Sequence, residues 1–552
     1  MAMKRAKPAS PRQATSATAR HGESAIRRLL YTSPIYDLSL SGKAPAGLRL
    51  TPTRRHAGNA IIGKKILSGD FPIKHRRGVR LGIDPWKRPL SGSEQSESLH
   101  GFSWLADLEA IGSEEARLRG RELLLGWISN FGRWQETAWY PDVLGGRLTA
   151  WVCGFEFFVS ADDGIAGRVL DSAMRQTRHL GRACAQSPTD WRRFRAVHGL
   201  VLSAICLPGA ETLLDRALGQ LESAIGRQIL PDGCHFERNP TRHLEVLDTL
   251  VSIQSLLVTT HIEGPIALMG AIDRMTPMLR AFRHGDGKLS LFNGSSEGDR
   301  AAIESVITDS GVRGKALTSA PHSGFQRLTA GRTTVIIDAG KPQPGGGHTA
   351  HAGALGFEMS IGKERLIVNC GHRDNSLEWL EASRTTAAHS ALTVDDTNSM
   401  EFLPDGHIGA GPNRVQCTRK ESDGAVWLEM GHDGYAKTVG VNVRRNLFLS
   451  ADGNDLRGED IIEGSEGSRF DVRFHLHPGV HASLLHDRTA VLLKLPSGAG
   501  WRLMANGGDV SLEESVYLDG GIENRRTEQI VVSGPLNGDG AVIKWRIYRL
   551  KD

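Results

Sequence analysis

Apolar positions along this chain keep one spacing in the first part and another after it. From about residue 102 to residue 290, hydrophobic residues recur three and four apart. In residues 114–131, Leu118, Leu123, Leu124, Leu125, Trp127 and Ile128 carry that rhythm, which predicts an amphipathic helix. Residues 146–160, 164–184, 191–206, 210–229, 243–261 and 265–282 have the same character. Pro208, Gly209 and the Pro231-Asp232-Gly233 turn punctuate them, as expected of packed helix pairs joined by short connectors.

After Asn293-Gly294 the rhythm changes to short runs rich in Val, Ile, Thr and Phe, separated by Gly, Asn, Asp and Pro. Strands are predicted at residues 324–328, 333–337, 355–361, 365–368, 391–394, 425–430, 435–444, 447–450, 468–475, 482–485, 490–495 and 501–505. Many short strands without intervening helices point to an antiparallel sandwich and away from a nucleotide-binding βαβ fold. Gly345-Gly346-Gly347 lacks the Lys-Ser/Thr ending of a phosphate loop.

The chain therefore divides into a basic tail (1–28), an extended lead-in (29–100), a helical domain (101–315) and a strand domain (316–552). The fold class is α+β, multidomain. Pro34, Pro45 and Pro52, and later Pro85 and Pro89, interrupt the lead-in, so the first helix is expected only near Phe102.

At 552 residues, two substantial cores are expected, and 39% hydrophobic with 23% charged residues supplies the apolar surface for them. A net charge of +5 is small for this length and is concentrated at Lys4, Arg5, Lys7, Arg12, Arg20, Arg27 and Arg28, opposed only by Glu23. That composition reads as a solvated arm, or as a contact for an acidic membrane surface or polyanion. Elsewhere basic and acidic residues alternate, which argues against specific nucleic-acid binding. No apolar run is long enough to span a bilayer, and residues 1–28 contain no apolar segment of the secretory type. The six cysteines are widely spaced and form neither a Cys-x-x-Cys pair nor a disulfide framework. Composition leaves the oligomeric state open.

Three strings carry a family resemblance: Gln228-Ile229-Leu230-Pro231-Asp232-Gly233-Cys234-His235-Phe236-Glu237-Arg238-Asn239-Pro240, His351-Ala352-Gly353-Ala354-Leu355-Gly356-Phe357-Glu358, and Arg384-Thr385-Thr386-Ala387-Ala388-His389-Ser390. In this order, over residues 90–540, the chain resembles the heparinase II/III-like superfamily of polysaccharide lyases. The resemblance implies an incomplete α/α toroid followed by an antiparallel β-sandwich, with a substrate cleft between them. It also implies β-elimination within a uronate-containing acidic glycan and a cell-envelope or periplasmic setting. The absence of a visible signal peptide leaves the cytoplasm open. Elimination requires a base for the ring proton, an acid for the leaving oxygen and cations or donors for developing charge.

Carried onto this chain, the resemblance implies zinc held by His351, Asn369 and His389, and no organic cofactor. Catalysis would draw on His198, Arg242, His348 and Tyr435, and substrate binding on His235, Glu237, Arg238 and His372. Each has an ordinary alternative: a helix-surface role for His198, structural ion pairs for Glu237 and Arg238, a core aromatic for Tyr435. His475 and His477 alternate onto one strand face and read as structural histidines.

Four positions depart from the family pattern. Thr349 stands where a first strand histidine is expected, with His348 as a replacement, and Gly353 stands where a carboxylate is expected to orient a nearby histidine. Asn369 offers an amide in place of a carboxylate, a poorer zinc ligand. Arg242 replaces a tyrosine: a guanidinium can clamp a carboxylate but does not exchange protons. The leading expectation is an acidic-glycan lyase. The alternative is a noncatalytic glycan-binding or envelope-assembly protein that keeps the cleft. Hydrolysis, a third class, lacks a recognisable carboxylate pair.

Overall fold

A computed structural model of the protein describes residues 25–73, 79–87, 90, 93–160, 162–342, 349–373, 376–404, 406–521 and 524–550. The charged tail through residue 24 and His348 lie outside the described residues. The two expected halves are present as an incomplete α/α toroid and an antiparallel β-sandwich.

The toroid's helices follow the apolar rhythm closely. Glu114–Phe131, Asp163–Ala183, Arg192–Cys206, Leu214–Gln228, Pro240–Thr259 and Ile266–Ala281 lie within a few residues of their expected bounds. Local chemistry sets their starts: Ser113, Asp162 and Asn239 each turn a side-chain oxygen onto first-turn N–H groups. Pro240 sits at the first helical position, where its missing N–H costs nothing. A further helix, Arg300–Asp309, lies inside the expected bounds of the helical domain although no apolar rhythm was read for it.

The lead-in is not simply extended. Ala25–Thr32, Pro34–Ser39, Ala60–Leu67 and Ser93–His100 are helical, so helix begins far upstream of Phe102. Pro34, read as an interruption, instead opens a helix capped by Ser33, and Asn59 caps the next. Between them the lead-in straps across the toroid. Arg54 meets Glu109, Arg55 meets Asp248 and Asp309, and His56 also meets Asp248.

The sandwich has two antiparallel sheets. The sheet facing the toroid runs in the order Asp509–Tyr517, Arg525–Pro535, Arg469–Leu476, Glu364–Val368, Phe357–Ile361, Thr333–Asp338, Phe325–Ala330 and Ser319–Ala320, with Leu392–Val394 also paired to Arg469–Leu476. The outer sheet runs His481–Leu484, Ala490–Lys494, Gly500–Asn506, Ala541–Arg549, Asp455–Glu463, Asn442–Leu449, Ala425–His432 and Val415–Ser422. Their facing sides enclose one apolar core in which the Phe357 ring stacks on Trp545 at 5.6 Å. The strands expected at 435–444 and 447–450 merge into Asn442–Leu449, and Tyr435 falls in the preceding turn.

Buried polar contacts join the halves. Arg238 pairs with Asp338 and donates to the carbonyls of Ser323 (2.7 Å) and Lys341 (3.2 Å). Asp232 accepts the N–H groups of His322 (2.9 Å) and Ser323 (2.7 Å). Arg365 meets Asp286 at 2.8 Å, and His284 meets Glu358 at 2.8 Å. Replacing Asp338 by Ala strands the Arg238 charge in this interface. We expect the folded state to lose about 3–5 kcal/mol, read from the denaturant midpoint of the cooperative transition; an unchanged midpoint would show that the pair does not join the halves.

Candidate functional site

The site lies where the start of helix Pro240–Thr259, the turn at Asn293-Gly294 and the toroid-facing sheet converge. Asn293 and Gly294 both take positive φ (50° and 81°), the conformation of a tight reversal. A Cβ placed on Gly294 would lie 3.4 Å from Asn239 Nδ2 and 3.7 Å from His351 Nε2. The glycine thus lets a side chain from each domain approach the same point. Asn239 is held there by two bonds: its oxygen accepts the Arg242 N–H at 3.1 Å, and its amide donates to the Asn293 carbonyl at 2.7 Å.

On the sandwich side, His351 and His389 meet, as the resemblance implied. Their rings lie 5.2 Å apart, with His351 Nδ1 and His389 Nε2 at 3.2 Å. His389 Nδ1 is 2.7 Å from the Thr385 carbonyl, so it carries the hydrogen and leaves Nε2 as an acceptor. His351 Nδ1–H then donates to it, which leaves a lone pair on His351 Nε2. That atom is buried and has no hydrogen-bond partner. Burial, with His389, His372 and Arg384 around it, holds the His351 imidazole well below the ordinary histidine pKa, and burial brings His389 down to about 4. Both are neutral near pH 7.

His372 joins the edge of this pair, its ring 5.4 Å from His351 and its Nδ1 3.3 Å from Ser383 Oγ. Arg384, which sequence reasoning passed over, stacks on Phe402 at 4.3 Å and donates to the Ala350 carbonyl at 2.9 Å. Burial pulls its pKa down to about 10. Gly353 has no room for the expected carboxylate, because a Cβ there would come within 2.6 Å of His389 Cδ2.

The toroid side is a rim of charges. Arg242 stacks on Trp191 at 4.1 Å and bonds Glu245 at 2.6 Å. Glu237 is buried, accepts the Trp191 N–H at 3.4 Å and lies beside Asp190. Burial first, and then the Asp190 charge, push its carboxyl up to about 7 against the pull of Arg242. Neither Asp190 nor Trp191 is in the quoted strings, and their nearness to Glu237 comes from folding alone. His198 is half-buried two helical turns away, influenced by Asp248 and Arg55, and burial lowers its pKa to about 4.

Several expected site residues serve the fold instead. His235 is fully buried, bonded to Gln228 at 2.9 Å and packed on Phe236, so it does not reach the cleft. Arg238, read as a substrate contact, is consumed by Asp338 and two carbonyls. Tyr435 is buried in the sandwich and donates to the Leu392 carbonyl at 3.1 Å, with burial pushing its pKa up; it cannot serve as the cleft acid. Asn369 directs its amide oxygen to the Ser390 N–H (3.0 Å) and its amide nitrogen to Leu291 O and Glu358 (both 3.3 Å).

As placed, these groups are turned on one another. His351 and His389 are bonded together, the Asn369 amide oxygen faces a backbone N–H, and His372 stands at the edge of the pair. Glu358, the nearest carboxylate in the motif, is spent on Leu291, Asn369 and His284. Among the described residues, no three His, Cys, Asp or Glu side chains are grouped to hold a metal.

A helical toroid joined to an antiparallel sandwich, with polar groups from both converging at the junction, is the architecture of polysaccharide lyases. Residues 127–311 match the model of the heparinase II/III N-terminus, and residues 312–546 that of the heparinase II/III-like C-terminal domain. The chain belongs to the heparinase II/III-like superfamily. It is 32% identical over 548 residues to FtsZ-localized protein C of Caulobacter vibrioides (strain NA1000 / CB15N), covering 95% of this chain and 94% of that protein. Among solved structures it shares its fold with heparinase III, at TM-score 0.72 and 13% identity over 97% of this chain and 94% of that one. It also shares it with a mutant of heparan sulfate lyase HepC from Pedobacter heparinus, at TM-score 0.65 and 17% identity over 93% and 86%.

Two measurements check this account. Purified protein should contain well under one zinc per chain by elemental analysis; a stoichiometric zinc that His351→Ala removes would overturn the donor-set argument. Glu237, with a folded pKa near 7 against 4.5 for the free side chain, favours folding most below pH 4.5 and loses that contribution as pH rises through 7. Glu237→Gln should therefore flatten the fall in stability across that window, gaining up to about 3 kcal/mol relative to the parent at pH 8. Parallel stability–pH curves would refute the raised pKa.

Proposed function

We propose that the protein is a noncatalytic, lyase-derived envelope-assembly protein, which binds a polysaccharide between its two domains without cleaving it. The carrying observation is the state of the proton-transfer groups. Where the family pattern has a phenol, Arg242 presents a permanently charged guanidinium already matched by Glu245. Tyr435, the candidate replacement, spends its hydroxyl on a buried carbonyl. Elimination needs an acid to release the glycosidic oxygen, and neither residue can be that acid.

The cleft itself keeps features of a binding site. His372 and Trp191, both half-buried beside the junction, offer imidazole and indole surfaces, the chemistry that holds sugar hydroxyls and ring faces. A relative that carries the name FtsZ-localized protein C supports a role alongside FtsZ. In the described residues no helix is long and apolar enough to cross a membrane.

One observation favours a second reading, elimination with a changed acid: the unpartnered lone pair of His351 Nε2 is available to take a proton at the junction. Incubation with heparan sulfate, chondroitin sulfate, alginate and polygalacturonate separates the two. We expect no ultraviolet-absorbing unsaturated uronate above the blank, and retardation of at least one polymer in affinity electrophoresis that His351→Ala weakens. An unsaturated product lost in His351→Ala would establish the second reading in place of the first.

A further inference from the structure

The outer sheet carries a groove that takes no part in the interdomain site. The sheet's orientation follows from the core. Phe357 stacks inward on Trp545, while its neighbour Glu358 reaches the toroid's His284. Trp545 therefore faces in, and Lys544 and Arg546, on either side of it in the strand, face out, away from the toroid. On that outward face lies a cavity of about 650 Å³.

Strand register arranges its walls as two parallel rows running across the strands. In the first, Trp427 lies opposite Phe448, Phe448 opposite Arg457, Arg457 opposite Arg546, and Arg546 opposite Met504. In the second, Glu429, Asn446, Glu459, Lys544 and Asn506 follow one another in the same way. Each row crosses five strands, a span of roughly 20 Å. The first row is a platform: the Trp427 and Phe448 rings are 4.9 Å apart, Trp427 is 38% exposed and Met504 36%. The second row is a line of hydrogen-bonding groups. At its floor Asn446 Oδ1 is buried without a partner, while Asn446 Nδ2 bonds Glu459 at 3.0 Å.

Charge selects the occupant. Lys544 is matched by Glu459 at 3.5 Å, whereas Arg457 and Arg546 share one carboxylate, that of Asp455, each at 2.7 Å. Glu429 is in turn matched by Lys420 at 2.9 Å. These groups leave a single excess positive charge, little for a polyanion to hold on to. The groove offers flat aromatic faces beside amide and carboxylate acceptors, the combination that suits a pyranose ring with an apolar face and a rim of hydroxyls.

We propose that this outer groove is a second glycan-binding site, which takes an uncharged linear oligosaccharide laid across the strands, with sugar rings stacked on Trp427 and Phe448 and hydroxyls bonded by the Glu429–Asn446–Glu459 row. It is separate from the interdomain cleft and does not depend on the reading of that cleft. Two glycan sites on opposite faces of the sandwich would let one molecule bridge chains.

Chitopentaose and cellopentaose, titrated calorimetrically into the full-length protein, test the assignment, with a sulfated heparin oligosaccharide as the charged comparison. We expect saturable binding of at least one neutral oligosaccharide, unchanged between low and moderate salt. Trp427→Ala and Phe448→Ala should each weaken it about tenfold with unchanged far-ultraviolet dichroism, whereas His351→Ala should leave it intact. The proposal is overturned if neither neutral sugar binds, or if both aromatic variants bind as the parent does. It also fails if Trp427→Ala abolishes only binding of the sulfated oligosaccharide, or converts a dimer to a monomer, which would assign the groove to a second copy of the chain.

Discussion

One buried carboxylate, that of Glu358, is the point on which the junction of the two domains turns. Its Oε1 accepts the N–H of Leu291 at 3.1 Å and that of Asn369 at 3.0 Å, and its Oε2 faces His284 Nε2 at 2.8 Å. Leu291 and His284 belong to the segment leaving the toroid, and Asn369 to the sandwich. A charge wholly out of water is tolerable only when its lone pairs are filled, and here both domains must be in place to fill them. Asn369 in turn accepts the Ser390 N–H, next to His389, and His389 sets the tautomer of His351. The positions of the site histidines are thus tied to domain docking through a continuous run of hydrogen bonds.

The same chain of bonds turns the polar groups around position 369 onto one another. The amide found there supplies a donor as well as an acceptor, and the structure uses both, one toward Glu358 and one toward Ser390. The two imidazoles then satisfy each other. What is left over is one lone pair at the domain junction, within reach of whatever enters the cleft.

Much of the fold was legible because its signals are periodic. Three- and four-residue spacing placed the toroid helices, and the shift after Asn293-Gly294 marked the sandwich. Of the strands that escaped notice, Val415–Ser422, Asp455–Glu463 and Asp509–Tyr517 interleave charged residues with apolar ones and Arg525–Pro535 opens on a polar run, so their hydrophobic signal is weak, whereas Ala541–Arg549 carried an apolar alternation that went unread. The site was legible in part. His351 and His389, singled out through the motif resemblance, lie side by side in the structure. Whether Tyr435 points into the core or the cleft leaves no mark in sequence, because an aromatic serves either place. Arg242 and Glu245 stand three apart in one helix, a pairing that sequence could have offered, whereas Trp191 beneath the guanidinium left no such sign. Partnership between charges distant in sequence, such as Glu237 with Asp190, exists only once the helices are packed.

Gly353 constrains how this site can change. Its missing side chain is not an empty place: the ring of His389 lies against the backbone there, 2.6 Å from a hypothetical Cβ. A carboxylate-bearing side chain at this position would have to displace that ring, and with it the bond that fixes the tautomer of His351. A single bare backbone position is thus coupled to both imidazoles, and the histidine pair can keep its contact only while position 353 stays bare.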